Sequence, residues 1–495
     1  MRNKHKQTIT TTSESIQSVI KSFKESGDFI QFHYPQTPQS FVISYFTTLV
    51  DSEILHRDIL PFLNKSTYSS LKELSDALPI EEIIITRNLE QIKSKLLTGC
   101  IIIQFNQEDE TCALIRAGAN QARSITIPEE EFSVTGPKES FVETLETNLY
   151  LVRKRLPTPQ LQIKELSVGT LSKTKIAVLY IEGVANEENV HTVLQRISDI
   201  QYHQILDSSY IEGMISDNNN SVFPQLLNTE RPDHAAGVLG EGKIVVLVDG
   251  SPHALVGPST LVEFFSAFED YFINWQVASF FRIIRFFGVL FSILATPIYV
   301  AVLSHHYLIV PTDLISTLVI SRSTIPLLPI SEAIILELTI DILREAGARL
   351  PVKVGQTIGI VGGIVIGTAS VEAGITSNAL LIIIALSALA SFTTPVYKMG
   401  IAIRLIRYPF LFFAGLWGLL GIVMVSIFFM VHLLRLTSLG RPYLEPIYPF
   451  RFHELKDALI RLPLSDHTNR SVELKSSDSV RFSHKNAKPK EDFDE

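Results

Sequence analysis

The chain has 495 residues, 46% of them hydrophobic, with a mean hydropathy of +0.24 and a formal net charge of −8. That average is too apolar for an ordinary soluble protein, and the excess lies almost wholly after residue 275, which implies at least two domains, one of them in a membrane. No large basic block marks a nucleic-acid surface, and the two cysteines, Cys100 and Cys112, have no metal-ligand spacing around them and make no disulfide scaffold.

In chain order, the N-terminus MRNKHKQTITTTSESIQSVI lacks an apolar h-region, so no cleaved signal peptide is expected and the segment before the helical region is expected on the cytosolic side. Residues 1–27 read as a polar arm that becomes a short helix at 14–25. Residues 28–136 read as a first α/β subdomain. DFIQFHY and SFVISYF alternate like half-buried strands, 66–78 and 88–97 look helical, and CIIIQF with TCALIRAG makes a second strand pair. A break at 135–137 opens a second α/β subdomain over 137–270, with a charged helix at 139–155, strands in LQIKELSVG and KTKIAVLYIEG, and a helix at 186–200. It ends in KIVVLVDGSPHALVGPS, where Asp249-Gly250 suits a hairpin turn. GCIIIQF at 99–105 matches GKIVVLV at 242–248, and an Ala-Leu-Ile/Val triplet follows each, at Ala113 and Ala254. Two related subdomains explain this match, and so does the general likeness of buried hairpins.

Residues 271–435 read as a helical transmembrane domain. The aromatic, amphipathic stretch 261–275 suits a headgroup boundary. The first span, 283–303, follows Arg282 and Arg285, and no Lys or Arg recurs until Arg322, which places the soluble part in the cytosol. Residues 308–328 are apolar but interrupted by Pro311, Asp313, Arg322 and Pro326. Residues 331–347 read as a helix capped by Ser331, with Glu337, Asp341 and Glu345 at every fourth position on one side. The span 354–373 carries Gly355, Gly359, Gly363 and Gly367, a ladder that lets another helix pack closely. Further spans are expected at 380–397, kinked by Pro395, and at 410–434, with Lys398, Arg404 and Arg407 marking a cytosolic turn between them. Residues 436–495 read as a polar, disordered tail. The number of crossings and the side of the tail stay open.

The acidic residues have two readings. Glu337, Asp341 and Glu345 either face water in a cation pathway built around an oligomer axis, or belong to an interfacial helix whose acids pair locally with Arg344, Arg349 or Lys353. Enzyme motifs are missing: there is no Gly-Lys-Ser/Thr loop, no paired Cys motif and no His-Glu-x-x-His. Ser251 and His253 read as turn residues, and the adjacent His305 and His306 as boundary residues on different helix faces. No catalytic residue, cofactor or metal site is expected. A non-conducting scaffold or signal relay and a secondary transporter remain alternatives, although no inverted repeat of membrane halves is evident.

Three long stretches carry a family resemblance: ERPDHAAGVLGEGKIVVLVDGSPHALVGPSTLVEFFSAFEDYF, PLLPISEAIILELTIDILREAGARLPVKVGQTIGIVGGIVIGTASVEAG and SFTTPVYKMGIAIRLIRYP. They resemble the A subunit of the GerA family of nutrient germinant receptors from endospore-forming bacteria, over roughly residues 30 to 450. The resemblance implies a multi-pass protein of the inner spore membrane that triggers germination when nutrients bind. It also implies a transporter-like B subunit and a C-subunit lipoprotein as partners, and self-association into an ion-conducting oligomer.

Overall fold

Two five-stranded antiparallel sheets and a helical bundle make up the computed structural model, which describes residues 15–34, 40–65, 68–80, 83–118, 128, 131, 133, 135–350, 363, 367–451, 460–463, 470 and 472–481. The first unit begins with α1 (Ile16–Phe23), capped by Ser15, followed by β1 (Phe29–Tyr34) and β2 (Phe41–Phe46). Helix α2 joins Ser52–Ile54, a wider π turn at Leu55–Ile59 and Leu60–Lys65. Then come α3 (Leu71–Ala77), β3 (Ile83–Thr86), α4 (Leu89–Leu96), β4 (Cys100–Gln104) and β5 (Cys112–Arg116). The second unit runs α5 (Leu145–Arg155), β6 (Leu161–Val168), β7 (Thr174–Ile181), α6 (Glu187–Ser198), α7 (Ser208–Ile215), β8 (Leu227–Thr229), α8 (Pro232–Glu241), β9 (Ile244–Val248) and β10 (Ala254–Gly257).

The sheet orders are β1-β2-β4-β5-β3 and β6-β7-β9-β10-β8, the same permutation twice. The likeness extends to single atoms. Gly99 and Gly242 precede the central strands β4 and β9, both with positive φ, and a side chain on either would strike the carbonyl of Leu49 or Val184. Leu49 and Val184 are each the third residue after the second strand, and their N–H groups donate back to Phe46 and Ile181. Two residues further on, Asp51 and Asn186 cap the next helix. A generic hairpin would not reproduce this chain of contacts, so the weak sequence match reports a duplicated unit.

Arg153, fully buried on α5, joins the two units. It donates to both carboxylate oxygens of Asp28 at 2.6 and 3.3 Å, to Ser26 Oγ at 3.0 Å and to the Leu161 carbonyl at 3.1 Å. All these acceptors are needed, because a buried guanidinium without them would be costly. The helix expected at 139–155 starts only at Leu145, because the Asn148 side chain holds Val142 by its N–H and its carbonyl and keeps the chain before it extended.

Residues 261–271 form two short 3-10 turns, Leu261–Phe265 and Phe268–Tyr271, that lead into the bundle. Helix α9 (Trp275–His305) starts there, with Arg282 and Arg285 bound to Asp270, and runs away from the sheets. After α10 (Thr312–Arg322), α11 (Pro329–Ala348) returns toward the sheets, with proline in its first turn, where a missing N–H costs nothing. Residues 367–372 are helical, and α12 (Asn378–Ser391) lies antiparallel to α9, Ser387 donating to the Ser292 carbonyl. Helices α13 (Tyr397–Trp417) and α14 (Leu419–Arg435) form an antiparallel hairpin.

Several expectations are corrected here. The span expected at 410–434 is broken at Gly418, whose φ of 62° and ψ of −139° suit only glycine. The cytosolic turn expected at 398–407 is the first half of α13. Pro395 does not kink a helix; it sits in the connection between α12 and α13, and among the described residues the prolines in the interior of bundle helices are Pro297 and Pro409. Only α9 and α13, among the described residues, are long and apolar enough to cross a membrane; α12 and α14 are shorter apolar helices.

The described part of the tail is packed rather than loose. Strands β11 (Thr437–Ser438) and β12 (Arg441–Pro442) pair, and the fully buried Tyr443 donates its hydroxyl to the Pro224 carbonyl at 2.7 Å. Farther on, Asn186 Nδ2 donates to the Lys475 carbonyl and Arg470 to that of Gly240, so the tail lies against the second α/β unit. Composition missed this because the strap is held by backbone groups and single anchors rather than by an apolar run.

Candidate functional site

Ionisable residues form a ladder along α11 through the apolar bundle. Glu332 is fully buried and accepts from Arg322 Nη1 at 2.8 Å, the Ser377 N–H at 2.6 Å and Thr376 Oγ1 at 3.1 Å, joining α10, α11 and the start of α12. One turn on, Glu337, 1% exposed, is ion-paired with Arg407 of α13 and accepts from Thr296 Oγ1 of α9 at 2.9 Å. The Arg407 Nε is buried without an acceptor among the described residues. Asp341 accepts from the Tyr408 hydroxyl at 2.6 Å. Arg344 donates to Ser391 Oγ at 3.2 Å and lies 4.2 Å over the Phe392 ring. Glu345, exposed, pairs with Arg349 at 2.6 Å.

The three acids therefore do not form one water-facing stripe in the single chain. At 3.6 residues per turn each fourth position drifts by roughly 40°, so Glu345 lies about 80° round from Glu337, and the bundle surface falls between them. Among the described residues, local pairing holds for Glu345 with Arg349 alone. Arg407 is the ion-pair partner that sequence reasoning placed in a cytosolic turn; its signal was an arginine inside the apolar run RLIRYPFLFF. Gly363 has open space around its Cα, and a Cβ on Gly367 would make ordinary contact with Leu381, whereas Gly355 and Gly359 lie outside the described residues.

A polar joint ties this bundle to the second α/β unit. Glu212 of α7 is ion-paired with Lys398 at the start of α13, and Ser221 Oγ lies 2.9 Å from His432 Nε2 near the end of α14. Phe223 stacks on His432 and meets Phe429 edge-on. The apolar core is continuous across the joint, from β9 through Phe264 and Tyr443 to Ile406 and Phe410 of α13.

Ser251 is buried, donates to Asp207 Oδ1 at 2.5 Å and lies 2.9 Å from Ser208 Oγ, tying the β9–β10 hairpin to the capped start of α7. His253 Nε2 lies 3.3 Å from Glu230 Oε1. Burial pulls the Asp207 carboxyl upward, but the bonds from Ser251 and from the Ser209 and Ser208 backbone together outweigh it and hold the group at about 2. The stabilisation is then complete above the ordinary carboxylate range and is lost as pH falls through about 2. Denaturation midpoints followed from neutral to about pH 3 should fall more steeply for wild type than for Asp207→Asn; parallel curves would contradict this. The Cys112 thiol, in the sheet of the first unit, is pushed up to about 12 by burial.

A duplicated α/β protein joined through polar contacts to an apolar bundle with a ladder of ionisable residues is the class these features define. The chain belongs to the GerA family: the family model described as Bacillus/Clostridium GerA spore germination protein matches residues 17–473. Spore germination protein GerQA of Bacillus cereus is 49% identical over 469 residues, covering 95% of this chain and 94% of that one. Spore germination protein GerIA of the same organism is 48% identical over 460 residues, covering 93% of this chain and 69% of that one. The resemblance drawn from the sequence is thus borne out. A crystal structure of the N-terminal domain of the A subunit of the Bacillus megaterium spore germinant receptor GerK3 matches 49% of this chain and 93% of its own, at 25% identity and a TM-score of 0.39.

Proposed function

We propose that this protein is the A subunit of a nutrient germinant receptor of the inner spore membrane, acting with a transporter-like B subunit and a lipoprotein C subunit. In this reading several copies assemble into a nutrient-gated, cation-conducting oligomer. The observation that carries it is the ladder of acids on α11 inside a bundle whose outer surface is apolar. Phe280, Phe287, Leu420 and Phe428 are 60%, 63%, 64% and 69% exposed, large apolar side chains that lipid accommodates better than water does. Helices α9 and α13, roughly 46 and 31 Å long at 1.5 Å per residue, are long enough to cross a hydrocarbon core of about 30 Å. Arg282, Arg285 and Lys398 at the sheet end favour placing the α/β units on the spore-core side. The tail packs on that side too.

Cation flux from proteoliposomes holding this chain with its B and C partners, with and without nutrient, tests the reading. The variant Asp341→Asn, Glu345→Gln leaves the Glu337–Arg407 pair intact and should lower nutrient-triggered flux several-fold relative to wild type, because acidic side chains along a path concentrate cations in it. Unchanged flux with an intact complex would favour a second reading, a non-conducting relay. That reading draws support from the Glu212–Lys398 and Ser221–His432 joint, through which motion of the α/β unit would move the α13–α14 hairpin.

A further inference from the structure

The duplicated units share a groove beside the glycine that precedes each central strand, and they fill it differently. In the first unit the chain running on from β5 fills it. Ala117 accepts from the Asp51 N–H at 2.8 Å and donates to the Gly99 carbonyl at 3.2 Å, and Gly118 bridges to Val50. The Gly118 Cα lies 2.9 Å from where a Cβ on Gly99 would stand. In the second unit the C-terminal tail takes that place. Ser476 Cβ lies 3.3 Å from where a Cβ on Gly242 would stand, and the Ser477 N–H donates to the Val184 carbonyl at 3.0 Å.

The side chains around the second groove suit a segment that arrives from elsewhere. Asp51 caps its helix by accepting from the Glu53 N–H, and a carboxylate has no donor to offer a further chain. Asn186, its counterpart, caps α6 with Oδ1 while its Nδ2 donates to the Lys475 carbonyl at 2.8 Å. Three residues on, where the first unit has Ile54, the buried Asn189 donates to the Leu474 carbonyl at 3.4 Å and accepts from Arg441 at 2.9 Å. Two asparagine amides thus hold tail carbonyls, which is how an extended peptide is bound through its backbone. The two segments also differ in how firmly they sit. Ala117 is part of the apolar core of the first unit, so it cannot leave without opening that core. Leu474 is 1% exposed yet stands outside the apolar clusters of the described residues, and Lys475 and residues 477–480 are exposed.

We infer that the groove bordered by Val184, Asn186, Asn189 and Gly242 is a peptide-docking site and that residues 474–481 of the same chain are its reversible occupant, a latch that leaves without unfolding the second unit. Arg481, paired with Glu241 at 3.1 Å, fastens the far end. Because the tail continues from α14, the docked latch ties the last helix of the bundle to the second unit at a place separate from the Glu212–Lys398 joint. A segment held by single polar bonds and one buried side chain belongs to the low-stability end of local opening. The latch needs no membrane, so it stands or falls separately from the membrane reading above.

The test uses the full chain in detergent, with hydrogen exchange read by mass spectrometry. In wild type the amides of 474–481 should exchange more slowly than in a free peptide of that sequence and faster than those of β9, because the latch opens while the core stays closed. Asn186→Asp keeps a capping oxygen, as Asp51 does in the first unit, and removes the donor to Lys475. It should speed tail exchange about fivefold, the worth of one hydrogen bond, and leave exchange in α6 unchanged. Leu474→Asp should empty the groove without altering it. That chain should therefore retain a fluorescent peptide of residues 474–481 that wild type binds far less, and adding Asn186→Asp should weaken the retention about fivefold. Wild-type tail amides as slow as β9, or as fast as the free peptide, would overturn the latch. So would unchanged tail exchange in Asn186→Asp, acceleration of α6 together with the tail, or no peptide retained by Leu474→Asp.

Discussion

Replacing Arg407 with glutamine is expected to destabilise the bundle by about 3–5 kcal/mol, the usual cost of leaving one member of a buried ion pair alone. Glu337 would keep only Thr296 as a donor, in a site from which water is excluded. Glu337→Gln should cost a similar amount, because Arg407 would then be the buried charge. The double variant should cost much less than the sum, since neither charge remains, and a double-mutant cycle on denaturation of the purified chain measures the coupling. Additive losses would mean that the two residues do not act as a pair. The same pair explains why α11, α9 and α13 meet in one register: an ion pair in an apolar bundle is satisfied at only one sliding position.

Tyr443→Ala should release the C-terminal strap. The ring is fully buried against Phe264 and its hydroxyl holds Pro224, while the backbone carbonyl accepts from the Leu261 N–H at 2.8 Å, so one residue closes the tail over the connector. Truncating a buried aromatic costs about 3–5 kcal/mol, whereas Tyr443→Phe removes only the hydrogen bond, about 1 kcal/mol. Limited proteolysis should cut within 436–451 in the alanine variant and spare wild type and Tyr443→Phe. Equal protection of all three would show that the strap is held elsewhere, for instance by Asp217, which binds Thr437 and the Gly440 N–H.

The sequence by itself determined the local structure wherever one segment satisfies its own requirements. The β-branched and aromatic runs SFVISYF and KTKIAVLYIEG form strands, although both prove buried on both faces rather than half-buried, and Asn186 at the start of a periodic run gave a helix because its side chain caps that run. The match of GCIIIQF with GKIVVLV was a trace of the duplicated unit, too short to prove it. Tertiary structure alone decided what depends on distant partners. Glu337 and Arg407 lie 70 positions apart, and the i, i+4 spacing that groups Glu337 with Glu345 says nothing about where the bundle surface cuts across the helix. Gly418 lies in a run apolar on both sides, so hydropathy reads one span where a positive φ turns the chain back. The tail reads as polar because its order comes from backbone bonds to the second α/β unit, and a sequence carries no record of which carbonyls lie within reach.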